Sequence, residues 1–155
     1  MVIDRDVVAD VTAALDEGGW DHALARVLRH FGADSGTIHV LEADGVLHLA
    51  AASAGIPAIV LDTVREVPVG KGMAGLAVAR RQPVNACNIQ TDASGDVRPG
   101  AKATGLQGSI VVPMLRGEIA VGALGIANHR EREFSDAEAA LLLAIARALA
   151  SRRIH

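Results

Sequence analysis

The apolar positions of this chain change period twice in its first third. Between Asp4 and Leu15, Val7, Val8, Val11 and Leu15 recur at helical spacing, with Asp4 or Asp6 placed to cap the first turn. Gly18-Gly19 interrupts the pattern. A second stripe of Trp20, Ala23, Leu24, Val27, Leu28 and Phe31 predicts another helix, with Gly32 suited to its C-terminal cap. The period then falls to two. Thr37 to Leu41 and Val46 to Ala50 alternate around Glu42-Ala43-Asp44-Gly45, where the Asp-Gly pair predicts a hairpin.

The middle of the chain is more broken. Ala54 to Val60 reads as a short helical turn and Thr63 to Val69 as an extended segment. After Gly70-Lys71-Gly72, Met73 to Arg81 predicts a short helix with Met73, Leu76 and Ala77 inward, stopped by Pro83. Val84 to Cys87 reads as a short strand. Ile110 to Leu115 and Ile119 to Ala127 predict a second hairpin across Arg116-Gly117-Glu118, and their near-continuous apolarity predicts strands covered on both faces. Ser135-Asp136-Ala137-Glu138 is a capping box opening a helix with Leu141, Leu142, Ile145 and Leu149. Arg147, Arg152 and Arg153 near its end suit the helix dipole.

Two hairpins predict an antiparallel sheet in an α+β arrangement, with the first and last helices packed together on one face. No internal repeat, linker or low-complexity tract divides the chain, so residues 1–155 are expected to form a single domain.

Composition narrows the chemistry. Half the 155 residues are apolar, and aromatics are limited to Trp20, Phe31 and Phe134, so the core is aliphatic. The scarcity of aromatic platforms and a net charge of −3 argue against nucleic acid as a partner. The one cysteine, Cys87, excludes an internal disulfide and a cysteine-based zinc cluster. With neither a signal-peptide pattern nor an apolar run long enough to span a bilayer, the expected location is cytoplasmic, with no membrane partner.

The stretch Asn85 to Ser109 is polar and Gly-rich, and long loops of this kind are usually functional or disordered. Arg98 offers a bidentate fork for carboxylate, nitrate or phosphate, and Lys102 a point charge. Thr104, Gln107 and Ser109 supply orienting polar groups, and Gly95, Gly100, Gly105 and Gly108 permit close backbone approach. The competing reading pairs Asp96 with Arg98 on an exposed loop. Gly70-x-Gly72-x-x-Gly75 precedes a helix and could hold an anion, but a tight turn entering a packed helix explains it as well. His39 and His48 share one face if His48 lies opposite Leu41, which makes them weak metal candidates beside the reading of locally bonded histidines. Cys87, a weak catalytic candidate, is read as a small buried hydrophobe. The mixed-charge run from Arg130 to Glu133 is read as solvated.

Three stretches together resemble the GAF domain family: HALARVLRHFGADSGTIHVLEADGVLHL, VPVGKGMAGLAVARRQPV and SIVVPMLRGEIAVGALGIANHREREFSDAEAALLLAIA. The resemblance lies in the order of these pieces across nearly the whole chain. It implies an antiparallel sheet of about six strands, terminal helices on one face, and a pocket on the other beneath a short helix and a long loop. It also implies ligand contacts from Asn88, Asp96, Arg98, Lys102, Thr104 and Ser109 of the loop region and from Met73 and Ala74 of the helix.

Departures from family patterns narrow the function. The Asn-Lys, Phe, Asp-Glu pattern of cyclic-nucleotide GAF domains is degraded at Asn128-His129 and Phe134 to Ala139. Bilin binding is disfavoured by the absence of a His near Cys87. The layout also resembles the free methionine-(R)-sulfoxide reductases, but Ala74 stands where those enzymes carry a Cys, and a sulfenic acid needs a second thiol. The expectation is a non-catalytic sensor for a small anionic metabolite, needing no cofactor. It would dimerise through its terminal helices and pass its signal to a partner protein. The alternatives are a divergent reductase-like enzyme using Cys87, and a purely structural dimerisation module.

Overall fold

The structure is a computed structural model, and it describes residues 4–92, 94, 96–97 and 105–153. Helix α1 runs Arg5–Phe31 and is broken at Gly19 (φ 78°, ψ −163°), where the apolar stripe is interrupted in the sequence. Asp4 caps it by accepting the Asp6 and Val7 amides, and Gly32 closes it in the left-handed conformation (φ 59°). Strands β1 (Ser35–Leu41) and β2 (Val46–Ala52) form the first hairpin. Then follow α2 (Ala58–Val64), β3 (Glu66–Pro68), α3 (Gly72–Arg80) and β4 (Val84–Ala86). The second hairpin is β5 (Ser109–Arg116) and β6 (Ile119–Ala127), and α4 (Asp136–Arg153) follows. At its start the Ser135 amide donates to Glu138 Oε1 while Ser135 Oγ accepts from the Glu138 amide, the reciprocal box the sequence predicts.

The six strands form one antiparallel sheet in the order β3-β2-β1-β6-β5-β4. The two hairpins thus meet at its centre, β1 against β6. Strand β4 pairs only as far as Val111, short of Pro113, which has no N–H to extend a ladder. Helices α1 and α4 cover one face, where Leu15, Leu24, Ile38, Leu124, Ile126, Leu142 and Ile145 make an aliphatic core. Helices α2 and α3 lie over the other. There Leu47, Val67, Ala77, Val78 and Val111 form a second cluster, and Ala86, Ile89, Leu106 and Ala127 a third. With apolar helices on both faces, the strands read as continuous apolar runs because both sides are buried.

The helical turn expected over Ala54 to Val60 lies later in the chain, at Ala58–Val64, so the extended segment shrinks to Glu66–Pro68. The first hairpin also differs in register. The Glu42 amide donates to the Val46 carbonyl and Gly45 takes φ 77°, leaving a three-residue loop. His48 therefore faces Val40 rather than Leu41, and His39 faces Leu49. A shift of one residue moves a side chain to the other face, so His39 and His48 lie on opposite faces and cannot share a metal.

Candidate functional site

Three alternate residues of β1, Ser35, Thr37 and His39, share the face beneath α2 and α3. Their partners on β6 are Ala127, Gly125 and Ala123, all small. On β5, Ser109 and Val111 extend the rows of Ala127 and Gly125. Small residues at the centre of the sheet leave a hollow there. Val60 and Val64 of α2, Met73 and Ala74 of α3, and Ile89, Val97 and Leu106 of the loop complete a cavity of about 170 Å³. Its wall is mainly aliphatic. Lys71, which is exposed, contributes positive charge, and no carboxylate lines the cavity among the described residues. An apolar cavity of about 150 Å³ is enough to hold a benzene ring.

His39 is the buried ionisable side chain of this floor among the described residues, 3% exposed, beside the buried hydroxyls of Ser35 and Ser109. Its Nε2 lies 2.8 Å from the Val64 carbonyl oxygen, which can only accept, so Nε2 carries the proton and Nδ1 a lone pair. Burial holds the imidazole pKa below its ordinary value, against a weaker opposing effect of the Val64 carbonyl. The hydroxyls of Ser35 and Ser109 are engaged locally, by Ser53 Oγ at 3.1 Å and the Ile126 carbonyl at 3.1 Å.

Of the ligand contacts expected from sequence, Met73, Ala74 and Ser109 line this cavity. Arg98, Lys102 and Thr104 lie outside the described residues, but Val97 and Leu106, which bracket them in sequence, both line it. Asp96 is held by Arg80 through two hydrogen bonds, at 2.9 and 3.1 Å, and these lower its carboxyl pKa. Asn88 donates to Glu131 at 2.8 Å and accepts from the Gln90 amide. Neither Asp96 nor Asn88 is among the cavity-lining residues.

Cys87 is exposed, contrary to the expectation of burial. Strand β4 ends at Ala86, which points inward, and alternation turns the next side chain out. The Cys87 carbonyl accepts the Arg132 amide, and Cys87 is absent from the cavity wall. His48 instead bonds Asp44 Oδ2 at 2.7 Å and approaches Glu42 at 3.2 Å, with His48 raised in pKa and Asp44 lowered by that bond. Charge pairing across the hairpin turn accounts for this cluster.

The Gly70-x-Gly72-x-x-Gly75 segment is a structural turn. Gly70 and Gly72 take φ 89° and 63°, and a Cβ on Gly75 would strike the Pro68 carbonyl oxygen. Arg132 is the exception in the charged run, because its side chain is only 12% exposed. It donates to Asn128 Oδ1 at 2.8 Å and Glu138 at 2.7 Å, and lies over the Phe134 ring. The buried Asn128 in turn donates to the Gly32 carbonyl and Asp34, tying α1, β6 and α4 together. Asn128 and Phe134, the remnants of the degraded family pattern, thus belong to a structural network.

Sequence reading missed Ser35, Thr37 and Lys71 as cavity residues; it read His39 as a locally bonded histidine, which the Val64 bond bears out, but did not place it in the cavity. The signal was present: in Ser35-Gly36-Thr37-Ile38-His39 the polar residues alternate, which puts all three on one face of a strand.

The fold that frames this cavity is shared with solved structures found by comparison. The free methionine-R-sulfoxide reductase of Neisseria meningitidis, solved with its substrate, superposes with a TM-score of 0.77 at 20% identity, covering 96% of this chain and 86% of that one. The GAF domain of the Acinetobacter phosphoenolpyruvate-protein phosphotransferase gives 0.75 at 20% identity, covering 95% and 87%. An A. aeolicus GAF domain in an inactive state gives 0.69 at 18% identity, covering 95% and 93%. No curated protein matches the sequence. A family model described as GAF domain matches residues 20–151, and the chain belongs to the GAF domain family.

Proposed function

We propose that this chain is a non-catalytic sensor module, a single GAF domain that binds a small metabolite in the cavity between the sheet, α2, α3 and the Asn85–Ser109 loop. The observation that carries the reading is the cavity itself, with Val97 and Leu106 of the loop in its wall. The ligand is a small anion with an apolar body. Aliphatic side chains surround the body, and Lys71, Arg98 and Lys102 supply the charge that attracts its head. Binding orders the loop against α3 and favours one arrangement of the terminal helices, through which two copies pair and signal to a partner protein. Such coupling requires the ligand to bind one arrangement more tightly than the other.

The test is a thermal-shift series of four- to eight-carbon carboxylates on the wild type and on the double variant R98A/K102A. A ligand at about 100 times its dissociation constant adds roughly 2.7 kcal/mol. For a chain of this length that is on the order of 5–10 °C in melting temperature. Several carboxylates should reach this shift in the wild type and lose it in the variant. No shift with any carboxylate would sink the anion reading.

An enzymatic reading is supported by the likeness to the reductase fold, but two features of this chain oppose it. The thiol is single and exposed, and Ala74 occupies the cavity wall. Methionine sulfoxide turnover that disappears in C87S would restore it.

A further inference from the structure

Among the described residues, four hydroxyl side chains line the cavity: Ser35, Thr37, Thr63 and Ser109. Three have local partners. Ser35 Oγ is bonded to Ser53 Oγ, Thr63 Oγ1 donates to the Ile59 carbonyl, and Ser109 Oγ donates to the Ile126 carbonyl. Thr37 Oγ1 has no hydrogen-bond partner among the described residues. It is also open to solvent, because the one unpartnered side-chain polar atom closed off among those residues is His39 Nδ1. Thr37 sits mid-sheet, paired with Ala52 on one side and Gly125 on the other. It is nevertheless only half-buried, whereas Ser35 and His39 on the same face are buried. In a strand flanked on both sides, that open surface belongs to the side chain and faces the hollow. The direction of the hydroxyl shows against Gly125. A Cβ placed on Gly125 would lie 3.7 Å from Thr37 Oγ1 and 3.0 Å from Val111 Cγ2. Glycine supplies no such atom, so the hydroxyl borders the space left over Gly125, which itself lines the cavity.

From this geometry we infer that Thr37 is a specificity-determining residue of the cavity. Its hydroxyl donates to a neutral carbonyl oxygen of the ligand, seated over Gly125, while the rest of the molecule fills the aliphatic hollow. The inference rests on the reading of the cavity as a ligand site and adds what the ligand must carry. Thr63 and Ser109 spend their protons on backbone carbonyls and Ser35 is engaged with Ser53, so Thr37 is the open hydroxyl among the described lining residues. A carbonyl oxygen is satisfied by one such bond. A carboxylate over Gly125 is not, because an ion taken out of water needs several donors and this open hydroxyl supplies one. An acidic head, where the ligand has one, therefore lies at the exposed Lys71, with the carbonyl inward. The cavity of about 170 Å³ sets the body at about one ring or a short branched chain. The ligand class is a small cyclic or branched ketone, or an oxo acid whose carbonyl stands apart from its carboxylate.

The test uses cyclohexanone and methylenecyclohexane, which match in shape and differ in C=O against C=CH2, with wild type, T37V and T37S. Valine keeps the outline of threonine and suits a strand, and melting curves check that each variant is folded. Binding is measured by ligand-observed NMR titration. The quantity read is the ketone-to-alkene affinity ratio, compared between proteins so that differences in hydration of the probes cancel. The ratio should fall about tenfold in T37V and stay within about threefold of wild type in T37S, which keeps the hydroxyl. A second measurement reads the bound ketone directly. Its carbonyl stretching band in the infrared should lie at lower frequency in wild type than in T37V, because the hydrogen bond weakens the C=O bond. An unchanged ratio in T37V, a T37S ratio as low as that of T37V, or a band at one frequency in both proteins overturns the role of Thr37. If both probes bind with an unchanged ratio, the cavity is a ligand site and the carbonyl assignment alone fails. If neither binds, the inference falls, and the carboxylate series decides the anion reading separately.

Discussion

Arg80 and Asp96 join the far end of α3 to the loop segment beside the cavity, through two hydrogen bonds at 2.9 and 3.1 Å. The near end of α3 supplies Met73 and Ala74 to the cavity wall, and the residue after Asp96, Val97, supplies more of it. One ion pair therefore braces two walls of the same hollow.

R80A tests that brace. The pair is partly exposed, 48% and 25%, so its removal should cost only about 0.2–1 kcal/mol of stability. The melting temperature should fall by less than about 4 °C. The affinity for the best carboxylate of the thermal-shift series should nonetheless drop several-fold, as read by calorimetric titration. Unchanged affinity would remove the brace from any account of binding.

Ala74 permits the opposite manipulation. It stands on α3 facing the cavity, so Ala74→Leu fills the hollow with apolar atoms. Cavity filling commonly gains about 0.5–2 kcal/mol, so the variant should melt at or above the wild-type temperature. It should at the same time lose its response to every ligand. A response that survives would place the ligand elsewhere.

Asn128 links three elements through one amide. Asn128→Ala leaves the Gly32 carbonyl and the Arg132 guanidinium short of a partner each. A loss of about 2–3 kcal/mol is expected, measured by urea unfolding. The denaturant slope should stay constant, because the network is within the fold and not in the unfolded chain.

The two hairpin histidines should respond to pH with opposite signs. His48 has a raised pKa through its bond to Asp44, so its contribution is full below about 6.5 and lost as pH rises through the folded value. The gap in melting temperature between wild type and H48Q should be widest in acid and close toward alkaline pH. His39 has a lowered pKa through burial, so the unfolded chain takes up the proton first. Stability then falls as pH drops below about 6.5, and H39L should lack that loss. Melting curves of the three proteins between about pH 5 and pH 8 separate the effects.

What the sequence made legible was local. Asp4, Gly32 and the Ser135–Glu138 box each act on amides within a few residues, and each has the predicted role. The face of His48 was not legible, because it depends on whether the turn holds three or four residues. Sequence patterning sees the Asp-Gly signal and not the Glu42–Val46 bond that sets the count. Sequence sets Asp96 beside its neighbour Arg98, whereas the partner it has among the described residues, Arg80, comes from another element. Arg132 looked solvated for the same reason: Asn128 and Glu138 meet it only once β6 and α4 are in place. The cavity floor lay between these cases. The alternation of Ser35, Thr37 and His39 marked one face, and only the small residues of β6 showed that face to be hollow.

The strand order has a consequence for how the chain reaches this state. Each hairpin can zip from its own turn, but the central pairing sets Gly36 against Ile126, residues from opposite ends of the sequence. Loop closure of that length must be met before the contacts that reward it exist, so the β1–β6 seam belongs to the slow, late part of folding. Until it closes, Ser35, Thr37 and His39 have no neighbours on β6. The cavity therefore comes into being late in folding, and any molecule that occupies it draws the unfolded chain toward that step by mass action.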